Sequence, residues 1–189
     1  MISLRLFPAV LFSLTGSAWS HPADVSHLRV KVEPHNVELR LTMNLLTLSS
    51  ITVIDQNRDL RITPSESANA APRVADFLRK RVHISVNGEA STLGDLDKYE
   101  AVWPDASTSA VSDREASQRF VDFYFHSRFP GIVRNYWLGF DCFDQWGDLH
   151  TIQAIYQQSA HQELPVEFSL KEQGLRRSGT RRAGRRGAA

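Results

Sequence analysis

A twelve-residue stretch, 55–66, carries oxygen-bearing groups at a spacing that suits a cation. The candidate ligands at positions 1, 3, 5, 7, 9 and 12 are Asp55, Asn57, Asp59, Arg61, Thr63 and Glu66. Calcium takes six to eight oxygen ligands, and a short loop supplies them only when alternate residues turn inward. We therefore expect Ca²⁺ to be bound by the first three side chains, the Arg61 carbonyl, the Thr63 hydroxyl (directly or through water) and both oxygens of Glu66.

The same stretch contains a signal for the start of a helix. Thr63 suits the N-cap, Pro64 the first helical position and Glu66 the third, where its side chain can reach back to the cap. Further on, Val74 and Leu78 follow helical spacing, and we expect Pro72 to open that helix, because inside it proline would remove a hydrogen bond.

This loop resembles an EF-hand, over residues 46–80 broadly and 55–66 closely. The resemblance implies a helix–loop–helix calcium site with the ligand roles given above. The sequence departs from the pattern in having Leu60 where EF-hands place glycine, in a poor helix-forming segment at 46–54, and in having a single loop. These departures predict weak binding, of the kind used outside the cytosol at ~0.1–1 mM calcium.

The elements around the loop read mainly as strands. Apolar and polar residues alternate across 27–44, which predicts a hairpin, and a strand at 82–86 runs into the hairpin signal Asn87-Gly88. Aromatic strands are predicted at 120–126, 135–143, 149–157 and 166–170, and a polar loop at 104–118. We expect a mainly β fold, an antiparallel β-sandwich with an EF-hand-like helical insertion at about 46–81 between strands 2 and 3.

Composition excludes several classes of protein. The 189 residues are 42% hydrophobic and include ten Phe, four Trp and four Tyr, too many for a disordered chain. A single cysteine, Cys142, excludes a disulfide scaffold and a CxxC site. The sequence contains no GxSxG, HExxH, P-loop or GxGxxG motif, which favours a binding module over an enzyme.

Residues 1–20 have the pattern of a secretory signal peptide, with cleavage predicted between Ser20 and His21. The expected product is an exported, soluble calcium-binding or interaction module in the periplasm or outside the cell. An alternative is a copper carrier or metalloenzyme, because His21 would then pair a free amino terminus with an imidazole, a set of ligands that selects copper.

Charge divides the chain into an acidic body and a basic tail. Residues 21–175 carry 15 lysines and arginines against 21 acidic residues, a net charge of −6, whereas six arginines lie at 176–186. We expect 21–175 to form the domain and 176–189 a disordered tail, since no apolar side chain larger than alanine follows Leu175. An anionic membrane or envelope surface is the expected partner of the tail, rather than nucleic acid.

A second resemblance concerns the whole exported region. A His21-Pro22 start, an opening hairpin, an acidic calcium-like loop and aromatic strands are similar to the extracytoplasmic heads of bacterial permease-like proteins related to hydrogenase and urease accessory proteins. In those proteins transmembrane helices follow the head, whereas here the Arg-rich segment follows, so no transport role is inferred.

Overall fold

A computed structural model describes residues 25–103, 109–159 and 162–178, and this part of the chain is mainly β. The strands are β1 Val25–Val32, β2 Asn36–Asn44, β3 Arg61–Ile62, β4 Val82–Val86, β5 Glu89–Ser91, β6 Asp95–Ala101, β7 Val111–Ser112, β8 Phe120–Arg128, β9 Asn135–Phe140, β10 Thr151–Gln158, β11 Leu164–Phe168 and β12 Gly174–Ser178. The helices are α1 Leu45–Ile51, α2 Pro64–Arg81 and α3 Phe143–Trp146.

The opening hairpin is confirmed. Strands β1 and β2 pair antiparallel, and along both strands alternate apolar residues are buried while the polar residues between them remain on the outer face. The Glu33 N–H donates to the Asn36 carbonyl at 2.9 Å and closes the turn. The period-two pattern therefore predicted both the strands and the face that each buries.

The hairpin lies at the centre of a six-stranded sheet of order β11-β10-β1-β2-β8-β6. Its pairs are antiparallel except β1 with β10, which run parallel from Val25 opposite Thr151 to Val32 opposite Gln158. The prediction of a purely antiparallel arrangement is therefore wrong at this pair. Alternation of apolar and polar residues shows which face a strand buries but does not show the direction in which the strand runs. More than 100 residues separate β1 from β10, so no tight turn forces the two strands to be antiparallel.

The second sheet has the order β12-β9-β4-β5. Its β4–β5 hairpin turns at Asn87 and Gly88, both with positive φ (55° and 92°), as predicted for an Asn-Gly turn. Aromatic rings connect this sheet to the first. Tyr136 of β9 stacks on Tyr156 of β10 with ring centroids 6.4 Å apart, and Phe140 meets Phe168 of β11 edge-on at 5.0 Å.

Cys142 lies fully buried at the end of β9, just before α3. Burial raises the pKa of its thiol well above the usual range. The side chain is therefore a small group of the hydrophobic core.

Strand β12 corrects the predicted tail boundary. The backbone of 176–178 pairs with β9, with Ser178 opposite Asn135, so ordered chain continues three residues beyond Leu175. Leu175 packs against the core opposite Leu138 and brings the following residues to the free edge of β9. Composition could not show this pairing, because it depends on backbone hydrogen bonds rather than on apolar side chains. Residues 179–189 lie outside the described residues.

A helical segment connects β2 to β4, as predicted, but two details differ. Helix α1 forms although its sequence favours helix poorly, because Asn44 caps it (Thr47 N–H to Oδ1, 2.7 Å) and because Leu45 and Leu48 are fully buried. Pro72 does not open a helix. It lies inside α2, which starts two turns earlier at Pro64, where a capping box forms between Thr63 and Glu66.

The predicted signal peptide and His21 lie outside the described residues. Within 25–103, 109–159 and 162–178, no helix is both long and apolar enough to cross a membrane.

Candidate functional site

The predicted calcium loop leaves α1 at Thr52 and enters α2 at Pro64. Asp55, the predicted first ligand, lies at its centre. Its Oδ1 accepts the backbone N–H groups of Arg58 (2.7 Å) and Asp59 (3.3 Å), and its Oδ2 accepts that of Leu60 (2.9 Å). The chain between Arg58 and Leu60 therefore wraps around one carboxylate.

The third and fifth positions continue this pattern of contacts. Asn57 Oδ1 accepts the N–H of Asp59 (2.8 Å), Asn57 Nδ2 donates to Asp59 Oδ2 (3.1 Å), and Asp59 Oδ1 accepts the N–H of Arg61 (2.9 Å). The structure thus brings Asp55, Asn57 and Asp59 into one connected cluster. It arises locally, because short Asp and Asn side chains bond readily to backbone two residues onward.

The turn requires left-handed backbone at two residues. Arg58 and Leu60 both have φ of 62°, a region that β-carbon crowding makes unfavourable for residues other than glycine. Leu60 stands where an EF-hand has glycine, and it adopts the conformation expected of that glycine. Its side chain is 68% exposed, so it gains little from packing in return.

Glu66, the predicted twelfth ligand, is only 9% exposed and ties both ends of the loop together. Its Oε1 accepts the N–H groups of Gln56 (3.1 Å) and Asn57 (3.4 Å), and its Oε2 accepts the N–H and hydroxyl of Thr63 (3.0 and 2.8 Å). The hydrogen bonds from Thr63, followed by those from Asn57 and Gln56, lower the pKa of the Glu66 carboxyl. The group is therefore held as a carboxylate.

Helix α2 holds the start of the loop and joins it to the rest of the fold. Arg73 of α2 donates through Nε to Thr52 Oγ1 (3.0 Å) and through Nη2 to the Val53 carbonyl (3.1 Å), which fixes the start of the loop. Farther along the same helix, the hydroxyl of Ser67 hydrogen-bonds to that of Tyr99 on β6. Helix α2 therefore connects the loop to the six-stranded sheet.

A short strand pairing that the sequence did not predict supports the middle of the loop. Strand β3 pairs with β7, with Arg61 opposite Ser112 and Ile62 opposite Val111. Both apolar partners are buried (3% and 2% exposed), and the Arg61 side chain donates to the Ala110 carbonyl at 3.3 Å. The sequence indicated only a polar loop here, because a two-residue strand is too short for any periodic signal.

The closing carboxylate of Glu66 contacts the cluster through the backbone N–H of Asn57. Among the described residues, no three side chains of the His, Cys, Asp or Glu type are grouped so that they could hold a metal ion. Both oxygens of Glu66 instead accept hydrogen bonds from backbone N–H groups and the Thr63 hydroxyl, so the structure does not gather the predicted ligands into one site.

Comparison with known proteins adds no assignment. The sequence matches no established protein family, and no curated protein is significantly similar to it.

Proposed function

We propose that this protein is an exported calcium-binding module whose cation site is the loop 55–66. The observation that carries the proposal is the hydrogen-bonded cluster of Asp55, Asn57 and Asp59, around which the backbone curls through left-handed turns at Arg58 and Leu60. Oxygen ligands without nitrogen or sulfur favour a hard cation such as calcium.

The residues fit calcium in chemistry and require one rearrangement. Three carboxylates, one amide, one hydroxyl and one backbone carbonyl lie within twelve residues. To bind the cation with both oxygens, Glu66 would have to exchange its bonds from Gln56 and Asn57 at Oε1 and at least one of its two bonds from Thr63 at Oε2. The hydrogen bond from the Glu66 N–H to the Thr63 hydroxyl can still keep the start of α2 in place. This exchange offsets part of the binding free energy and supports the expectation of a weak site.

Titration of the purified protein with CaCl₂, monitored by calorimetry and by melting temperature, tests the proposal. We expect saturable binding at ~0.1–1 mM calcium, loss of binding in Glu66→Gln, and unchanged binding in Glu89→Gln, which alters an exposed glutamate on β5. A melting temperature indifferent to millimolar calcium, or an equal response in the two variants, would contradict it. Parallel titration with a copper salt tests the alternative site at His21.

Two further predictions complete the proposal. The ring contacts between the two larger sheets support a β-sandwich that carries the loop as an insertion. The apolar segment near the amino terminus supports export, which mass spectrometry of the exported protein would test by finding His21 at its start.

A further inference from the structure

A groove crosses the outer face of the six-stranded sheet, on the side away from the core. Its larger section has a volume of about 710 Å³ and is lined by His27, Arg29, Arg40, Thr42, Gln153 and Ile155, among others. A second section of about 390 Å³ continues past Tyr124 and His126, and both sections share Arg29 and Arg40. The larger volume falls in the range of small-molecule sites.

Two arginines from neighbouring strands line both sections of this groove. Arg29 of β1 and Arg40 of β2 are direct cross-strand partners, so their β-carbons lie roughly 5 Å apart. Like charges in such a position destabilise a sheet. We therefore expect acidic groups nearby that offset the positive charge of each arginine.

A buried carboxylate holds Arg40. Asp122 of β8 is fully buried. Its Oδ2 accepts a hydrogen bond from Arg40 Nε at 2.8 Å and lies 2.6 Å from Arg40 Nη2 in the same ion pair. The Thr42 hydroxyl donates to Oδ1 (2.5 Å) and the Tyr124 hydroxyl to Oδ2 (3.2 Å), so four donors surround this one acid. The Tyr124 ring also lies 5.7 Å from the Arg40 guanidinium carbon, which further restricts its position.

Arg29 is held from the opposite side, by one hydrogen bond from Nη1 to Glu163 at 2.6 Å. Within the described residues, Nη1 of Arg40 and both Nε and Nη2 of Arg29 make no hydrogen bond. Both side chains remain about half exposed (47% for Arg29 and 45% for Arg40). Charged donors therefore remain available on two arginines that each pair with one acid and that line the same groove.

We propose that this groove binds a small organic oxyanion, a carboxylate or a phosphate, between Arg29 and Arg40. Both anions present two oxygens that can accept parallel N–H bonds from a guanidinium group, and their negative charge relieves the repulsion between the two cations. Ile155 and the aliphatic wall of the groove provide an apolar surface for the rest of the molecule. Glu167 at one end and Glu38 and Asp97 in the second section flank the cations, and this favours a small anion over an extended polyanion.

This site is independent of the proposed calcium function, since no residue of the loop 55–66 lines the groove. The test uses the full protein after metal ions have been removed on a chelating resin, in a buffer free of chelators, phosphate and carboxylates. The calcium loop is then empty, metal chelation by the probes has no effect, and no other oxyanion competes for the groove. Sodium succinate and sodium phosphate are titrated by calorimetry against sodium chloride at equal ionic strength. The two probes distinguish a carboxylate from a phosphate ligand.

We expect saturable binding of at least one probe, weakened about tenfold or more in Arg29→Ala and in Arg40→Lys. Arg40→Lys keeps a positive charge beside the buried Asp122, so we expect this variant to fold. Lysine lacks the planar set of N–H donors with which arginine binds two oxygens at once. Arg134→Ala removes an exposed arginine outside the groove and should leave affinity unchanged. Heats equal to those of sodium chloride for both probes, or affinity unaffected by either groove variant, would overturn the proposal.

Discussion

Glu66 and Thr63 cap each other: the Thr63 hydroxyl accepts the N–H of Glu66 at 3.2 Å, and the Glu66 carboxylate accepts the N–H of Thr63 at 3.0 Å. The same carboxylate reaches back to Gln56 and Asn57 at the start of the loop. The Glu66 side chain thus stabilises the start of α2 and also closes the loop. Its charge state therefore affects the stability of the helix and of the loop.

The pH dependence of stability should reflect Glu66. Its pKa is lowered in the folded protein, chiefly by the hydrogen bonds from Thr63, so its charged form stabilises the fold. This contribution is fully present above the unfolded pKa of about 4.3 and is lost as pH falls through the lower folded value. Denaturant unfolding without calcium should show wild type losing its advantage over Glu66→Gln below about pH 4. A difference that stays constant with pH would contradict the assignment.

Leu60→Gly should stabilise the protein. The left-handed backbone at Leu60 costs about 1–2 kcal/mol, and the exposed side chain gives up little packing. Because glycine also adds freedom to the unfolded chain, the expected net gain is about 0.5–1 kcal/mol. Leu60→Ala is the matched control, since alanine keeps the backbone penalty and should show no gain. Urea unfolding measures both, and a stabilising alanine would show that strain is not the cause.

Substitutions of Ile62 test the support that β7 gives to the loop. Ile62 is 3% exposed and pairs with Val111. Ile62→Ala should lower the unfolding free energy by about 2–5 kcal/mol and Ile62→Val by about 0.5–1.5 kcal/mol, in proportion to the apolar volume removed. We further expect the alanine variant to bind calcium more weakly, because the seventh and eighth loop positions lose their anchor. Two equally small effects on stability would mean that this contact does not hold the loop.

Gly94→Ala should destabilise the fold strongly. Gly94 has φ of 87°, and a β-carbon there would collide with the backbone carbonyl of His126. Gly88→Ala shares the positive φ but has open space around it, so a loss of about 1–2 kcal/mol is expected from conformation alone. Gly131→Ala has neither problem and should be nearly neutral. Thermal unfolding ranks the three, and a Gly94 variant no worse than Gly88→Ala would contradict the close approach.

The features that could be predicted from sequence are those set by neighbouring residues. The β1–β2 hairpin, the Asn87-Gly88 turn and the Thr63–Glu66 cap all depend on contacts within a few positions, so spacing and residue type were sufficient. The order of ligand types in the loop is likewise a property of adjacent residues.

The predicted start of a helix at Pro72 was wrong because it considered only neighbouring residues and not the packing of the whole helix. Pro72 lies within α2 because the cap at Thr63 begins the helix earlier and because Ala70, Ala71 and Val74 bury one helical face around it. A proline signal describes only the hydrogen bond lost at one position. It does not weigh that loss against the burial gained along eighteen residues.

Only the tertiary structure determined which distant segments meet. The parallel pairing of β1 with β10, the use of β7 against β3 and the extension of the sheet by β12 each join segments far apart in sequence. The same holds for Asp122, whose place beside Arg40 follows from the β2–β8 register. Such contacts depend on the packing of the whole core and on the pairing of buried backbone groups, and no local pattern in the sequence records either of these.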